Sequence, residues 1–225
     1  LAKQGSKATV QIFGDIVDDI YEDGVCALSF AYELDQLGEV DEIDVYINSY
    51  GGSVAQGFAI YNMLKNHPAK VRTICNGFAC SIASVIFLAG DERIMQGASL
   101  LMIHNPFTYS CGNADELRKV ADDLDKMAQV SIDLYCESTG LDAAIVKDMM
   151  DKETWMSASD ALELGFATSV SIKNDKDELL SVVQSVKTSL VDRILNNHNE
   201  QMMVQEEPEQ QKEEAQNSAL ENFLK

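Results

Sequence analysis

Residues Ile43–Asn66 read IDVYINSYGGSVAQGFAIYNMLKN, and three successive patterns in them decide the architecture. Ile43–Asn48 is short, largely apolar and rich in β-branched side chains, which predicts a strand. Gly51-Gly52 breaks the run. A helix is then expected from about Ser53 to Asn66, stopping before Pro68, because the residue ahead of a proline is pushed out of the helical region. Outward from this block the alternation continues. Thr9–Ile16 alternates as a strand and Val25–Leu37 follows as an amphipathic helix. Downstream, Val71–Cys75 is a third strand and Ala79–Ala89 a small-residue apolar helix, with Arg93–Met95 and Leu100–Ile103 as further short strands. Strand, helix, strand, helix predicts an α/β domain with crossover connections.

After Pro106 the pattern changes. Asn113 with Glu116 makes a capping box. Leu117, Val120, Leu124, Met127, Val130 and Leu134 then mark one stripe at helical spacing. A helix of about 25 residues is more than a small core needs, so it is expected to project and pack on something else. Two shorter helices near Asp142–Met150 and Ser157–Leu164 lead to a closing strand, Phe166–Val170. Leu179–Leu195 reads as an amphipathic helix. From Asn196 onward the periodicity fails and Gln, Glu and Asn dominate. The expected division is a folded domain over 1–170, a helical extension over 171–199 and an acidic, disordered tail over 200–225.

The chain of 225 residues carries 37 acidic and 17 basic side chains, a formal charge of −20, and is 46% hydrophobic. That excess of acid argues against binding a phosphate backbone, which Lys and Arg hold, so no nucleic-acid partner is expected. The hydrophobic content excludes disorder over most of the length. The charge is also uneven, for Val45 to Gly90 contains no Asp or Glu at all. Cys26, Cys75, Cys80, Cys111 and Cys136 are odd in number and lack CxxC spacing, which suggests reduced thiols. His67, His104 and His198 lie too far apart in sequence for a metal cluster. The longest apolar stretch, Ile82 to Ala89, is too short for a membrane span. No basic segment with an apolar stretch opens the chain, so no secretory leader is expected and a cytoplasmic setting is. The start at Leu1 rather than Met suggests residues upstream.

Chemistry concentrates at three places. Ser81, in Asn76-Gly77-Phe78-Ala79-Cys80-Ser81-Ile82-Ala83-Ser84, stands where a strand turns into an apolar helix. There the first free N–H groups and the helix dipole favour negative charge, as acyl transfer requires. A serine at such a place is more often a simple helix cap. Gly51-Gly52 allows close backbone approach to a ligand, and a glycine N–H here can pair with that of Ile82 as oxyanion donors. The plainer reading is a turn with Ser53 as cap. His104, in Met102-Ile103-His104-Asn105-Pro106, leaves an apolar strand where a rigid scaffold can present a general base. His67 ends a helix and His198 borders the tail, so His104 is the histidine an enzyme would use. Asp148, Asp151 and Glu153 all compete for the acid that orients an imidazole, and spacing does not choose among them.

Five blocks in this order resemble the proteolytic subunit of the Clp protease family. They are Tyr46-Ile47-Asn48-Ser49-x-Gly51-Gly52-Ser53-Val54, Gly57-Phe58-Ala59-Ile60-Tyr61, Gly77-Phe78-Ala79-Cys80-Ser81, Met102-Ile103-His104-x-Pro106 and Ser157-Ala158-x-x-Ala161-x-x-x-Gly165. The resemblance spans roughly Val10 to Val170. It implies an α/β fold of the crotonase-like kind, a spiral of β-β-α units with a projecting handle helix at about 113–138. It implies Ser81 as nucleophile, His104 as base, and the N–H groups of Gly52 and Ile82 as oxyanion hole, with Gly51 shaping the turn. Extended substrate would lie along Gly51, Ser53 and Val54 by strand addition. The family's catalytic aspartate stands two residues before a bulky aromatic, and Glu153 occupies that place before Trp155, with Asp151 as alternate.

The resemblance further implies a serine endopeptidase without metal or organic cofactor, assembled as a ring-shaped homo-oligomer. Tyr50 stands where the family usually has proline. With Gly112–Lys119, Glu153-Thr154-Trp155 and the C-terminal extension, it makes the chain more similar to the phage head-maturation branch, whose substrates would be capsid, scaffold or portal precursors. The alternatives are a housekeeping Clp subunit working with an ATPase unfoldase and an inactive head-assembly component. A coenzyme-A hydratase or isomerase shares the fold but needs no serine–histidine pair.

Overall fold

A computed structural model of the chain describes residues 2–171. The expected tail over 200–225, and the expected extension over 171–199 apart from Ser171, lie outside these residues. The elements run β1 (Ala2–Gln4), β2 (Lys7–Phe13), α1 (Ala27–Leu37), β3 (Glu42–Ser49), α2 (Val54–Lys65), β4 (Lys70–Cys80), α3 (Ile82–Phe87), β5 (Glu92–Gln96) and β6 (Leu100–Ile103). There follow α4 (Ala114–Thr139), α5 (Ala143–Asp151), β7 (Thr154–Ser157), α6 (Ala158–Glu163) and β8 (Ser169–Ser171). The fold is mixed α/β, with one sheet in the order β1-β2-β3-β4-β5-β8 and a branch in which β6 pairs with both β4 and β7.

The sheet is parallel from β2 through β5 and β8, and the register explains which residues fill the core. Side chains alternate between faces along a strand. The rows Ala8–Ile43–Val71, Val10–Val45–Thr73 and Ile12–Ile47–Cys75 therefore line one face, and all nine residues are buried. Each fully buried Ile or Val contributes about 1.5–3 kcal/mol of transfer free energy. Thr73, the one hydroxyl in these rows, donates to Phe87 C=O at 2.7 Å and so carries no desolvation penalty. The opposite face holds the row Thr9–Asp44–Arg72–Glu92, in which opposite charges adjoin. Asp44 is only 5% exposed and is flanked by Lys7 at 2.8 Å and Arg72 at 3.4 Å.

β4 serves two neighbours in succession. Arg72–Cys75 pairs with β5, and Phe78–Cys80 pairs with β6. Between these halves its register with β3 shifts, from Ile47↔Cys75 to Ser49↔Ala79, so β4 takes up two extra residues. Asn48 fills the gap by accepting the Phe78 N–H on its side-chain oxygen at 3.1 Å. Gly77 is required there, since a Cβ would stand 2.4 Å from that oxygen. The irregularity re-aims the end of β4, and hence Ser81, away from β5 and toward β6.

Sequence and structure differ in places. The apolar run expected as a helix from Ala79 begins its helix only at Ile82, because Phe78–Cys80 is held in the ladder with β6. Ser53 does precede α2, but its side chain makes no cap bond and instead donates to Asp18 at 2.5 Å. The closing strand is Ser169–Ser171 rather than Phe166–Val170. The projecting helix matches its capping box, with Asn113 and Glu116 bonding each other's backbones, and it ends on left-handed Gly140. Only Ser131, Ile132 and Tyr135 of α4 are buried.

α2 and α3 meet at Gly57, where an added Cβ would stand 2.1 Å from Ile82 Cγ1. Ile82 is β-branched and buried, so it has little room to move. Gly57→Ala is therefore expected to destabilise the domain by about 1–3 kcal/mol, the usual range for overpacking. Urea unfolding should show this as a lower midpoint at unchanged slope.

Candidate active site

Ser81 closes β4 and precedes the first residue of α3, with φ 54 and ψ −130. A positive φ at a non-glycine residue costs about 1–3 kcal/mol and persists only where the surroundings enforce it. Here the Ser81 N–H donates to Met102 C=O at 2.9 Å, extending the β4–β6 ladder by one step. The Ser81 C=O accepts from Ser84 N–H at 2.9 Å. The space beside Ser81 exists because Gly51 has no side chain, and a Cβ on Gly51 would lie 2.7 Å from that of Ser81. The Ser81 hydroxyl does not cap α3. Its Oγ lies 2.8 Å from His104 Nε2.

His104 follows β6 directly, and the ring of Phe107 stands edge-on to it with centroids 5.8 Å apart. Burial pushes the imidazole pKa below its usual 6.5, since a charged ring would lose hydration, while the carboxylate of Glu153 works in the opposite sense. That carboxylate belongs to the residue just before β7. β6 and β7 run antiparallel with Met102 opposite Trp155 and Ile103 opposite Thr154. The pairing stops there, and His104 and Glu153 each stand one residue beyond this last pair. Glu153 also has φ 50, and its Oε1 accepts from Trp155 Nε1 at 3.2 Å.

Asp151 is placed differently. It ends α5 and forms an ion pair with Lys147 at 2.8 Å, and it accepts from Asn105 Nδ2 at 2.8 Å. Those two partners, Lys147 foremost, hold its carboxyl below the usual range, as for a surface carboxylate. Asp148 pairs with Lys152 at 2.7 Å. Of the three acids in this segment, Glu153 alone acts on His104. Beside Asn105 and Pro106 a cleft of about 520 Å³ opens toward α4, walled by Leu124, Ala128 and Lys147.

The glycine pair divides its groups. Gly51 N–H donates to Ser49 Oγ at 3.1 Å, and Gly51 C=O accepts from Ile16 N–H at 2.8 Å. Ser53 N–H donates to Ile16 C=O at 2.8 Å. This is a parallel bridge centred on Gly52, which turns Gly52's own N–H and C=O away from Ile16. Ile82, as the first residue of α3, has no intrahelical acceptor for its N–H. Along Gly51–Ser53 one edge is taken by Ile16, and Val54 already belongs to α2. Only Gly52 keeps its main chain free of that bridge.

Sequence reasoning missed the strand β7, four residues long, which directly follows Glu153 and pairs with β6. It also missed Asp18 as the partner of Ser53 and Trp155 as a donor to Glu153. Among the described residues no group of three or more His, Cys, Asp or Glu side chains is arranged to hold a metal ion, and no helix is long and apolar enough to cross a membrane. All five cysteines are free thiols.

The Clp protease family model matches residues 4–174. The chain is 33% identical over 165 residues to the ATP-dependent Clp protease proteolytic subunit of Porphyromonas gingivalis, covering 72% of this chain and 73% of that protein. It is 34% identical over 142 residues to the subunit of the same name from Bacteroides fragilis, covering 62% and 69%. Its fold matches a solved mutant of ClpP1 from Listeria monocytogenes with a TM-score of 0.65 and 26% identity, over 74% of this chain and 92% of that one.

A neutral imidazole is needed if His104 is to accept a proton from Ser81, so activity should fall as pH drops through the His104 pKa. Burial lowers that pKa, so the acid limb of kcat/KM is expected below pH 6.5. Glu153→Gln removes the opposing carboxylate charge and should move the limb lower still. A pH–rate profile of both proteins checks this.

Proposed function

The chain belongs to the Clp protease family, and from that premise we propose that it is a serine endopeptidase in which Ser81, His104 and Glu153 form the catalytic triad. The observation that carries this reading is the 2.8 Å contact between Ser81 Oγ and His104 Nε2, made by a serine whose hydroxyl is otherwise uncommitted. In the proposed reaction His104 Nε2 takes the hydroxyl proton while Oγ attacks the scissile carbonyl. The carbonyl oxygen becomes an oxyanion held by the N–H groups of Gly52 and Ile82. Collapse of that intermediate breaks the C–N bond, and His104 returns the proton to the leaving amine. Water, deprotonated by the same imidazole, then cleaves the acyl-enzyme. Glu153 keeps the imidazole tautomer with its proton on Nδ1 and stabilises the imidazolium.

Substrate strands meet the enzyme at Gly52, the one position of the glycine turn whose main-chain groups face away from Ile16. Relatives are named ATP-dependent Clp protease proteolytic subunits, which supports a ring-shaped homo-oligomer fed by an ATPase unfoldase. A second reading, head maturation for a phage, is favoured by Glu153 and its bond to Trp155, the feature in which this chain departs from the family's aspartate. Incubating the protein with a capsid precursor and mapping new termini separates the two. Cleavage without any ATPase favours maturation, and dependence on an unfoldase favours the housekeeping role.

A fluorophosphonate probe should label Ser81, and labelling that survives in Ser81→Ala would sink the assignment. Glu153→Gln is expected to lower kcat by about 10³- to 10⁴-fold, as loss of the orienting acid does in other triads. Asp151→Asn, by contrast, should stay within about threefold of the parent, in keeping with the small worth of an exposed ion pair. Steady-state kinetics on a peptide amide decides between the two carboxylates.

A further inference from the structure

Tyr135 lies in the buried part of α4, 2% exposed, and the proposed mechanism gives it no task. Its hydroxyl is 2.7 Å from Ser84 Oγ, and Ser84 is itself 0% exposed. Ser84 Oγ in turn lies 2.6 Å from the carbonyl oxygen of Ser81. A carbonyl only accepts, so the single proton of the Ser84 hydroxyl goes to Ser81. Tyr135 must then be the donor to Ser84. The order is fixed: Tyr135 O–H to Ser84 O–H to Ser81 C=O. Burial pushes the Tyr135 hydroxyl far above the usual phenol range, so it keeps its proton at any working pH.

The Ser81 carbonyl and the Ile82 N–H belong to one peptide unit. That unit is planar and trans, so the two groups point in opposite directions and turn together. Whatever holds the carbonyl aims the amide. The conformation of Ser81 is strained and does not hold this peptide plane by itself. The Ser84 N–H supplies one restraint, common to any first helical turn. The buried relay supplies a second, stronger one, since hydrogen bonds in series polarise each other in a low-dielectric interior.

We infer that Ser84 and Tyr135 are positioning residues that aim the Ile82 N–H at the developing oxyanion, with Tyr135 doing so from the base of the long helix α4. This rests on the reading of Ser81 as nucleophile. It adds that α4 is not only a projection but is tied by its buried end to the peptide that forms half of the oxyanion hole.

Tyr135→Phe removes one oxygen and keeps the ring that packs on Phe166. Ser84→Ala removes the whole relay. The test uses active-site-titrated protein, a peptide amide substrate, and a peptide boronate whose tetrahedral adduct sets an oxygen in the oxyanion position. For Tyr135→Phe the expected result is a fall of about tenfold in kcat, a fraction of the 10²- to 10³-fold lost when an oxyanion donor is removed outright. KM should stay within about twofold, and boronate affinity should fall in parallel with kcat, since only tetrahedral species use the donor. The acid limb of the pH profile should not move, because His104 is untouched. The double variant should be no worse than Ser84→Ala, as expected for two members of one chain.

An unchanged kcat in Tyr135→Phe overturns the inference. So does a loss of kcat with boronate affinity intact, or additive losses in the double variant. Should Tyr135→Phe fail to fold, Ser84→Ala decides alone by the same two constants. Failure of the nucleophile itself shows elsewhere, as fluorophosphonate labelling that survives Ser81→Ala.

Discussion

The two residues by which β4 outruns β3 between Cys75 and Ala79 determine where everything else stands. A parallel strand with one register would continue beside β5 and carry Ser81 away from His104. The extra length is stable only because Asn48 supplies a side-chain acceptor for Phe78 N–H, and because Gly77 leaves that side chain room. Buried main-chain donors must find a partner, so the bulge is affordable at this one place in the ladder. Past it, β4 changes neighbour from β5 to β6. The Ser81 N–H then bonds Met102, two residues before His104, and the short reach between hydroxyl and imidazole follows from the ladder.

Electrostatics at the site work by subtraction. Residues 45–90 contain no acid in sequence, so neither the glycine turn nor the start of α3 brings a negative charge of its own to a forming oxyanion. The carboxylate that acts on His104 is that of Glu153, the residue just before β7. A carboxylate there favours imidazolium, and burial disfavours it. Burial is the larger of the two opposed effects and keeps the imidazole pKa below its usual 6.5, which suits the base of the proposed reaction. The remaining acids of this region are tied to Lys147 and Lys152 on the surface. There their charges are screened and matter little.

Much of this was legible in the sequence, for reasons that are local. The capping box at Asn113 and Glu116, the stripe along the long helix and the core rows of β2 and β3 all follow from short-range patterns that a chain of this composition cannot satisfy otherwise. Ser81, His104 and Gly52 were also within reach as candidates, since each stands at an element boundary. The choice among Asp148, Asp151 and Glu153 was not. It depends on which acid the chain leaves just before β7, next to the end of β6, and a four-residue strand carries no periodicity that marks where it starts. The same holds for Ser84 and Tyr135, whose contact spans 51 positions and leaves no trace in either local pattern. The bridge from Ile16 to Gly52 is long-range too, for the sequence shows Ile16 only as the end of the alternating run from Thr9.

A glutamate can stand where a triad calls for an acid only if its extra methylene is accommodated. Three features of this chain bear on that. His104 and Glu153 each lie one residue beyond the last paired position of β6 and β7, so the two ends of that ladder carry them. The positive φ of Glu153 sits at the turn from α5 into β7, where its own N–H is held by Met150 C=O at 3.1 Å, so the backbone there is restrained against drifting. Trp155, two residues on, donates its indole N–H to Oε1, and in the proposed triad the second oxygen serves the imidazole. A phenylalanine could fill the same space but offers no donor. In the proposed triad glutamate and tryptophan therefore act as a pair, the longer acid having one of its oxygens on a fixed partner.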